Sequence, residues 1–412
     1  MATSPNSLSI SAVLKIQDLR RLWIGQIVSV FGDFLAIFAI LGIVSFQFRG
    51  QGVMINLVLI SFLLPFTVIS PVAGVFVDRW NVKRTMIASD LIRSVLCFVL
   101  LFTTNVWQIY GILFALSCVS SFFMPAQGVA IRTIVPKEGL MSANGLMQQV
   151  FYALQIISPA IATALVAWFG RNVCFWIDAI SFLVSAYMIS TITIKREPAA
   201  ALTHVRSVVH EMSAGAKFIF THSAISFVVI AISAGMFAIR CFGALVALYV
   251  RDILKAGMQL FGGLSSLVGV GMIVGTQFVN RFGKNRSKAH LVVGGLLGIG
   301  VGIALIAAIP SIATAVVGMM AIGFCVAFLV VPSQTLLQEE TPPNMLGRVG
   351  GSMMSVMMAS QVLALAIAGP VEERIGVRSL YFASAALLGL IALAGHLRLR
   401  NHAAPKTERA SA

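Results

Sequence analysis

The chain has 412 residues, of which 58% are apolar and 10% charged, and its mean hydropathy is +0.96. Water-soluble domains carry about a quarter charged residues, so this composition excludes a soluble enzyme, a disordered chain and a secreted disulfide scaffold together. A net charge of +15 would invite a nucleic-acid reading in a soluble chain, but here the basic residues fall between apolar runs.

Residues 1–21 end in Arg20 and Arg21 and lead into a long apolar run with no small-residue cleavage site, which reads as a retained first span. About 20 apolar residues cross a bilayer. Runs of that length are predicted near 22–44, 54–76, 85–104, 107–127, 144–168 and 173–194, then near 223–249, 258–280, 289–309, 312–332, 350–370 and 379–397. The fold class is therefore an all-α polytopic membrane protein. Its twelve transmembrane helices divide into a six-helix bundle over 1–194, a cytoplasmic linker over 195–222, and a second six-helix bundle over 223–412 with a short cytoplasmic tail. The linker sets Val205, Val208, Val209, Met212 and Phe218 among charged residues, which suits a helix on the membrane surface or a solvated loop.

With the amino terminus inside, 21 of the 29 Lys and Arg residues fall in cytoplasmic segments and six outside, while Arg93 and Arg240 lie within spans. Basic residues are retained on the cytoplasmic side, so this bias places both termini there and requires an even number of crossings. Cys97, Cys118, Cys174, Cys241 and Cys325 lie in or beside apolar runs without metal-ligand spacing and read as small core residues.

An internal repeat is visible. At an offset of 207 residues, Cys118, Pro125, Gln127 and Pro136 meet Cys325, Pro332, Gln334 and Pro343. After a slip of one, Ala160, Gly170 and Ala179 meet Ala366, Gly376 and Ala385. Two parallel repeats joined by a linker are the layout of a transporter with its site near the membrane midplane. Neither a potassium-channel filter nor a GxxxxGK[ST] phosphate loop occurs, so neither a selective pore nor direct use of ATP is indicated.

The loop after the second run places Gly74 four residues before Asp78, followed by Arg79, Lys83 and Arg84. This resembles the signature between spans two and three of the major facilitator superfamily, with Asn81 in place of a second glycine and Val82 where a basic residue is usual. Leu22-Trp23 with Gly25-Gln26, Ser29, Gly32 and Asp33, then Asp90 and Arg93, Pro125-Ala126, Ala143-Asn144-Gly145, and Gln334 through Gly347-Arg348-Val349 resemble its branch of macrolide efflux proteins and the enterobactin exporter. The resemblance implies the major facilitator fold, the inner membrane of a prokaryote, and proton-driven export of a small lipophilic or amphipathic compound such as a drug, macrolide or siderophore. It also implies a cytoplasmic gating latch formed by Gly74, Asp78, Arg79, Lys83 and Arg84, in which Gly74 permits close helix approach.

A charge near mid-bilayer needs a partner or a wet cavity. Asp33, about 16 Å into the first span by helical rise, is the candidate proton carrier. Arg240, deep in the seventh span, is its expected partner across the central cavity. Asp90 and Arg93, one turn apart, read as a local pair supporting the latch together with Arg348, and Asp178 reads as interfacial. The chain is expected to work as a monomer in the lipid bilayer, exchanging protons and a small-molecule substrate, without cofactor, metal or nucleic acid. A facilitator or importer of lipid-like solutes without obligatory proton antiport is the alternative, and a membrane sensor a weaker one.

Overall fold

The computed structural model describes residues 8–77, 79–194, 205–283, 286–342 and 345–403. The described residues are helical almost throughout, because in hydrocarbon every backbone N–H and C=O must be satisfied within its own segment.

The chain divides into two compact units. The first comprises Met1–Phe48 and Leu57–Val208, the second Arg49–Asn56 and Val209–Ala412. The first unit holds α1 (Gln17–Gly42), which runs into a π-helical turn at Ile43–Gln47, then α2 (Gly52–Val77, its first residues counted with the second unit), α3 (Val82–Leu100), α4 (Val106–Ile134), α5 (Leu140–Phe169) and α6 (Asn172–Ser190). The second holds α7 (Ser223–Ala244), continued by Val246–Leu248 into a π-helical turn at Tyr249–Ile253, then α8 (Met258–Phe282), α9 (Lys288–Ala308), α10 (Ile312–Glu340), α11 (Leu346–Ile375) and α12 (Val377–Ala403). In the linker, Val205–Thr221 is a helix, and residues 195–204 lie outside the described ones.

Eleven of the described helices are long and apolar enough to cross a membrane. The exception among the twelve is α3, which carries Lys83, Arg84, Asp90 and Arg93. Its 19 residues rise about 28 Å, close to the ~30 Å of a hydrocarbon core. What sets α3 apart is charge, and its two central charges pair with each other.

The apolar core at one end of the first unit joins Leu19 and Leu22 from the start of α1, Val77 from the end of α2 and Val82 and Met86 from the start of α3. It also takes in Ile131 from the end of α4, Ala143 from the start of α5 and Ile189 from the end of α6. Starts and ends alternate at that end, so the six helices run up and down in turn. In the second unit Ile225 and Val229 of α7, Leu337 of α10 and Val349 and Met353 of α11 meet the linker-helix residue Ile219 in the same alternation.

The two units are repeats. Helices start at Gln17 and Ser223, Gly52 and Met258, Val82 and Lys288, Val106 and Ile312, and Leu140 and Leu346, each pair 206 residues apart. In the first unit α1 packs on α5 and α6, and α3 on α4 and α6. In the second α7 packs on α11 and α12, and α9 on α10 and α12. Local punctuation repeats as well. A capping box opens α4 at Asn105 and α10 at Ser311. Arg49 and Lys255, each just after a π-helical turn, share left-handed backbone (φ 47° and 53°), and Gly170 and Gly376 end α5 and α11 at φ 80° and 79°. This corrects the sequence register in one place. The matched prolines Pro125 and Pro332 lie 207 apart, one position out of step within helices of equal length that start 206 apart.

Candidate functional site

The polar centre of the first unit is built where α1 crosses α6. On α6, Asp178, Ser181 and Ser185 recur at helical spacing and are each no more than 2% exposed. Facing them, α1 offers Gly25, Ser29 and Gly32. A Cβ at residue 32 would come within 2.9 Å of the Asp178 Cα, and one at residue 25 within 3.5 Å of the Ser185 Cα. Small residues let helix backbones approach closely in lipid, and here they bring the next residue of α1, Asp33, to the edge of the cluster.

The third wall is α3. Asp90 is fully buried and Arg93 only 4% exposed. The Arg93 guanidinium donates to Asp90 Oδ1 and stands 4.0 Å from Asp33 Oδ2. Its flat faces lie against Phe123 (4.4 Å) and Phe182 (4.3 Å), an arrangement that suits a planar, weakly hydrated cation. Beside it, Cys97 Sγ donates to Asp178 Oδ2 at 3.0 Å, and Ser94 Oγ donates to the Ala179 carbonyl at 2.8 Å. One guanidinium thus faces two carboxylates, with Asp178 bonded to Cys97 alongside, and Asp33, with 36% of its side chain exposed, is the open one.

This geometry changes three expectations. Asp90 and Arg93 do pair, but Arg93 reaches on to Asp33 and belongs to the buried centre instead of forming an isolated support for the latch. Asp178 is enclosed between helices, because Gly32 brings the α1 backbone over it. Asp33 and Arg240 each take a partner within their own unit. Arg240 Nε donates to Gln361 Oε1 of α11 at 2.7 Å, while Asp33 faces Arg93. The Asp178-Ser181-Ser185 stripe is a signal the sequence carries openly. Gln361 has no comparable local mark.

Residues 22–365 match the Major Facilitator Superfamily. The chain belongs to that superfamily. Within it the chain is similar to the uncharacterized MFS-type transporter YfiS of Bacillus subtilis (strain 168), at 26% identity over 92% of this chain and 93% of that protein. It is also similar to macrolide efflux protein A of Streptococcus pyogenes, at 24% identity over 90% of this chain and 93% of that one. Among solved structures it resembles a mutant of the nucleoside transporter NupG, with a TM-score of 0.74 at 13% identity, covering 93% of this chain and 99% of that one, which shows the fold. This member of the Major Facilitator Superfamily is an integral membrane transporter and not an enzyme.

The loop expected to act as the latch is only partly described. Asp78 lies outside the described residues, and Arg79 and Arg84 are exposed with Lys83 half-buried. Asn81, where the superfamily signature has a glycine, caps α3: its Oδ1 accepts the Arg84 N–H at 3.0 Å. The close approach expected at Gly74 is absent, since a Cβ there would meet no described atom within 4 Å. Arg348 is exposed at the start of α11, where its carbonyl packs against Gly215 of the linker helix.

Proposed function

We propose that the chain is a secondary active exporter that moves a small lipophilic or amphipathic compound by alternating access, driven by protons entering in exchange. On this reading it works as a monomer in the inner membrane of a prokaryote with both termini cytoplasmic, and the turn from Gly74 to Arg84 is its cytoplasmic latch. Similarity to a macrolide efflux protein supports export. A macrolide, a dye or a siderophore is the first class of compound to try.

One observation carries the proton reading: Arg93 stands between two carboxylates of unequal exposure, Asp90 sealed beneath it and Asp33 open beside it. When Asp33 takes a proton, Arg93 and Asp90 form a neutral pair; when Asp33 is ionised, the three groups carry one net negative charge, which the guanidinium at 4.0 Å and the open side of Asp33 stabilise. An acid held this way can change its protonation without unfolding its surroundings.

The test uses inverted vesicles with an acidic lumen. The wild-type chain accumulates the transported compound and a protonophore abolishes accumulation. The Asp33→Asn variant is inserted normally and equilibrates the compound without concentrating it. Full accumulation by that variant removes Asp33 from the mechanism, and transport indifferent to the protonophore overturns proton coupling itself.

A further inference from the structure

The second unit carries a half-buried cation of a different kind from Arg93. Arg240 is the one charged residue of α7. Among the described residues it forms no ion pair: Asp252 pairs with Arg251, Glu339 pairs with Lys288, and the Glu372 carboxylate packs at Gly52. Its only hydrogen-bond partner there is neutral, the Gln361 side-chain oxygen at 2.7 Å, and Gln361 is itself 7% exposed.

That single bond fixes the guanidinium through Nε and leaves both Nη groups unbonded among the described residues. Neither is among the polar atoms sealed from the exterior. The mount is rigid. Next to Arg240, Cys241 Sγ donates to the Ala364 carbonyl at 3.7 Å, pinning α7 to α11, and Gln361 Nε2 is held against the Met357 carbonyl at 3.4 Å and Met358 Sδ at 3.9 Å. A planar fork with two free amino groups matches the two oxygens of a carboxylate, sulfonate or phosphate ester. Beside it lies the thioether of Met358, a side chain that adapts to irregular apolar shapes.

We propose that Arg240, held by Gln361, binds the anionic head group of an amphipathic substrate whose apolar body lies along Met358 of α11. The inference rests on the reading of the chain as a carrier of amphipathic compounds and narrows that class to organic anions. It assigns the two units different tasks. The first holds the exchangeable acid, and the second holds the cation that recognises cargo.

The test measures binding at equilibrium with no gradient, so its outcome is independent of proton coupling. The full chain in lipid nanodiscs is titrated with dansylglycine, an anion, and with dansylamide, a neutral probe with the same ring system. Wild type binds both, and Arg240→Gln weakens dansylglycine by about tenfold or more while moving dansylamide by less than about twofold. Arg240→Lys, which keeps charge without the fork, falls between. Retained dansylamide binding certifies that each variant is folded. Equal effects of Arg240→Gln on the two probes overturn the proposal. So does a wild type that ignores dansylglycine while Asp33→Asn binds it, because the occupant of Arg240 is then the chain's own carboxylate.

Discussion

The Cys97 thiol donates to Asp178 Oδ2 across 3.0 Å, joining α3 to α6 at the point where Gly32 lets α1 pass over the same carboxyl. Among the described residues the other side-chain donor to that carboxyl is also neutral, the Ser181 hydroxyl at 3.5 Å. Cys97→Ala removes the donor without adding volume, which costs about 1–3 kcal/mol for a buried acceptor left unsatisfied. Cys97→Ser keeps a donor and stays near wild type. Thermal unfolding in detergent micelles ranks the three proteins, and equal midpoints would show that the bond adds nothing.

Gly170 and Gly376 occupy equivalent places in the two units, with φ, ψ of 80°, 170° and 79°, 160°. That region of backbone space is almost closed to residues with a Cβ. At both positions an added Cβ would have no described atom within 4 Å, so the penalty is conformational and not steric. Alanine at either site therefore lowers stability by about 1–3 kcal/mol, read as a fall in midpoint in the same assay. An unchanged midpoint would mean that the helix end re-forms in another conformation at no cost.

Gly32 and Gly74 make the opposite comparison. Alanine at 32 drives a methyl into Asp178 and Ser181, an overpacking that costs about 1–3 kcal/mol. Alanine at 74 meets open space within α2 and leaves stability unchanged or raised by about 0.5–1 kcal/mol through helix propensity. If the turn from Gly74 to Arg84 is a latch, transport by the stable Gly74→Ala protein falls all the same. Undiminished transport by it would remove Gly74 from the latch.

Much of the fold was legible because lipid imposes one rule on every segment. Apolar length marks the crossings, and the halves betray their kinship through Gly170 and Gly376. The parts that escaped depend on packing between helices. Asp178 lies only seven residues into α6, which suggested the membrane surface, and its burial is set by a glycine 146 positions earlier in the chain. The Arg240 partner is an uncharged amide on α11, and a half-buried cation gives no local hint of which neutral group will hold it. Asn81 looked like a defect in the superfamily signature because a helix cap is recognised by backbone geometry at one residue, which family comparison alone does not supply.

The repeat itself tests what the buried charges are for. At the positions of α9 that correspond to Asp90 and Arg93, 206 residues on, stand Leu296 and Ile299, both fully buried. The same architecture therefore packs that place with aliphatic side chains. Arg93→Ile alone strands Asp90 without its cation and costs about 3–5 kcal/mol, whereas replacing a buried pair together is often neutral or stabilising by roughly 1–4 kcal/mol. The double variant Asp90→Leu, Arg93→Ile is thus expected to unfold near the wild-type temperature and the single variant well below it. Asp33 in the double variant has lost its compensating cation, so the same folded protein is expected to equilibrate substrate across vesicles without concentrating it against an imposed proton gradient. A double variant that is both stable and fully concentrating would assign the charged pair to neither folding nor coupling.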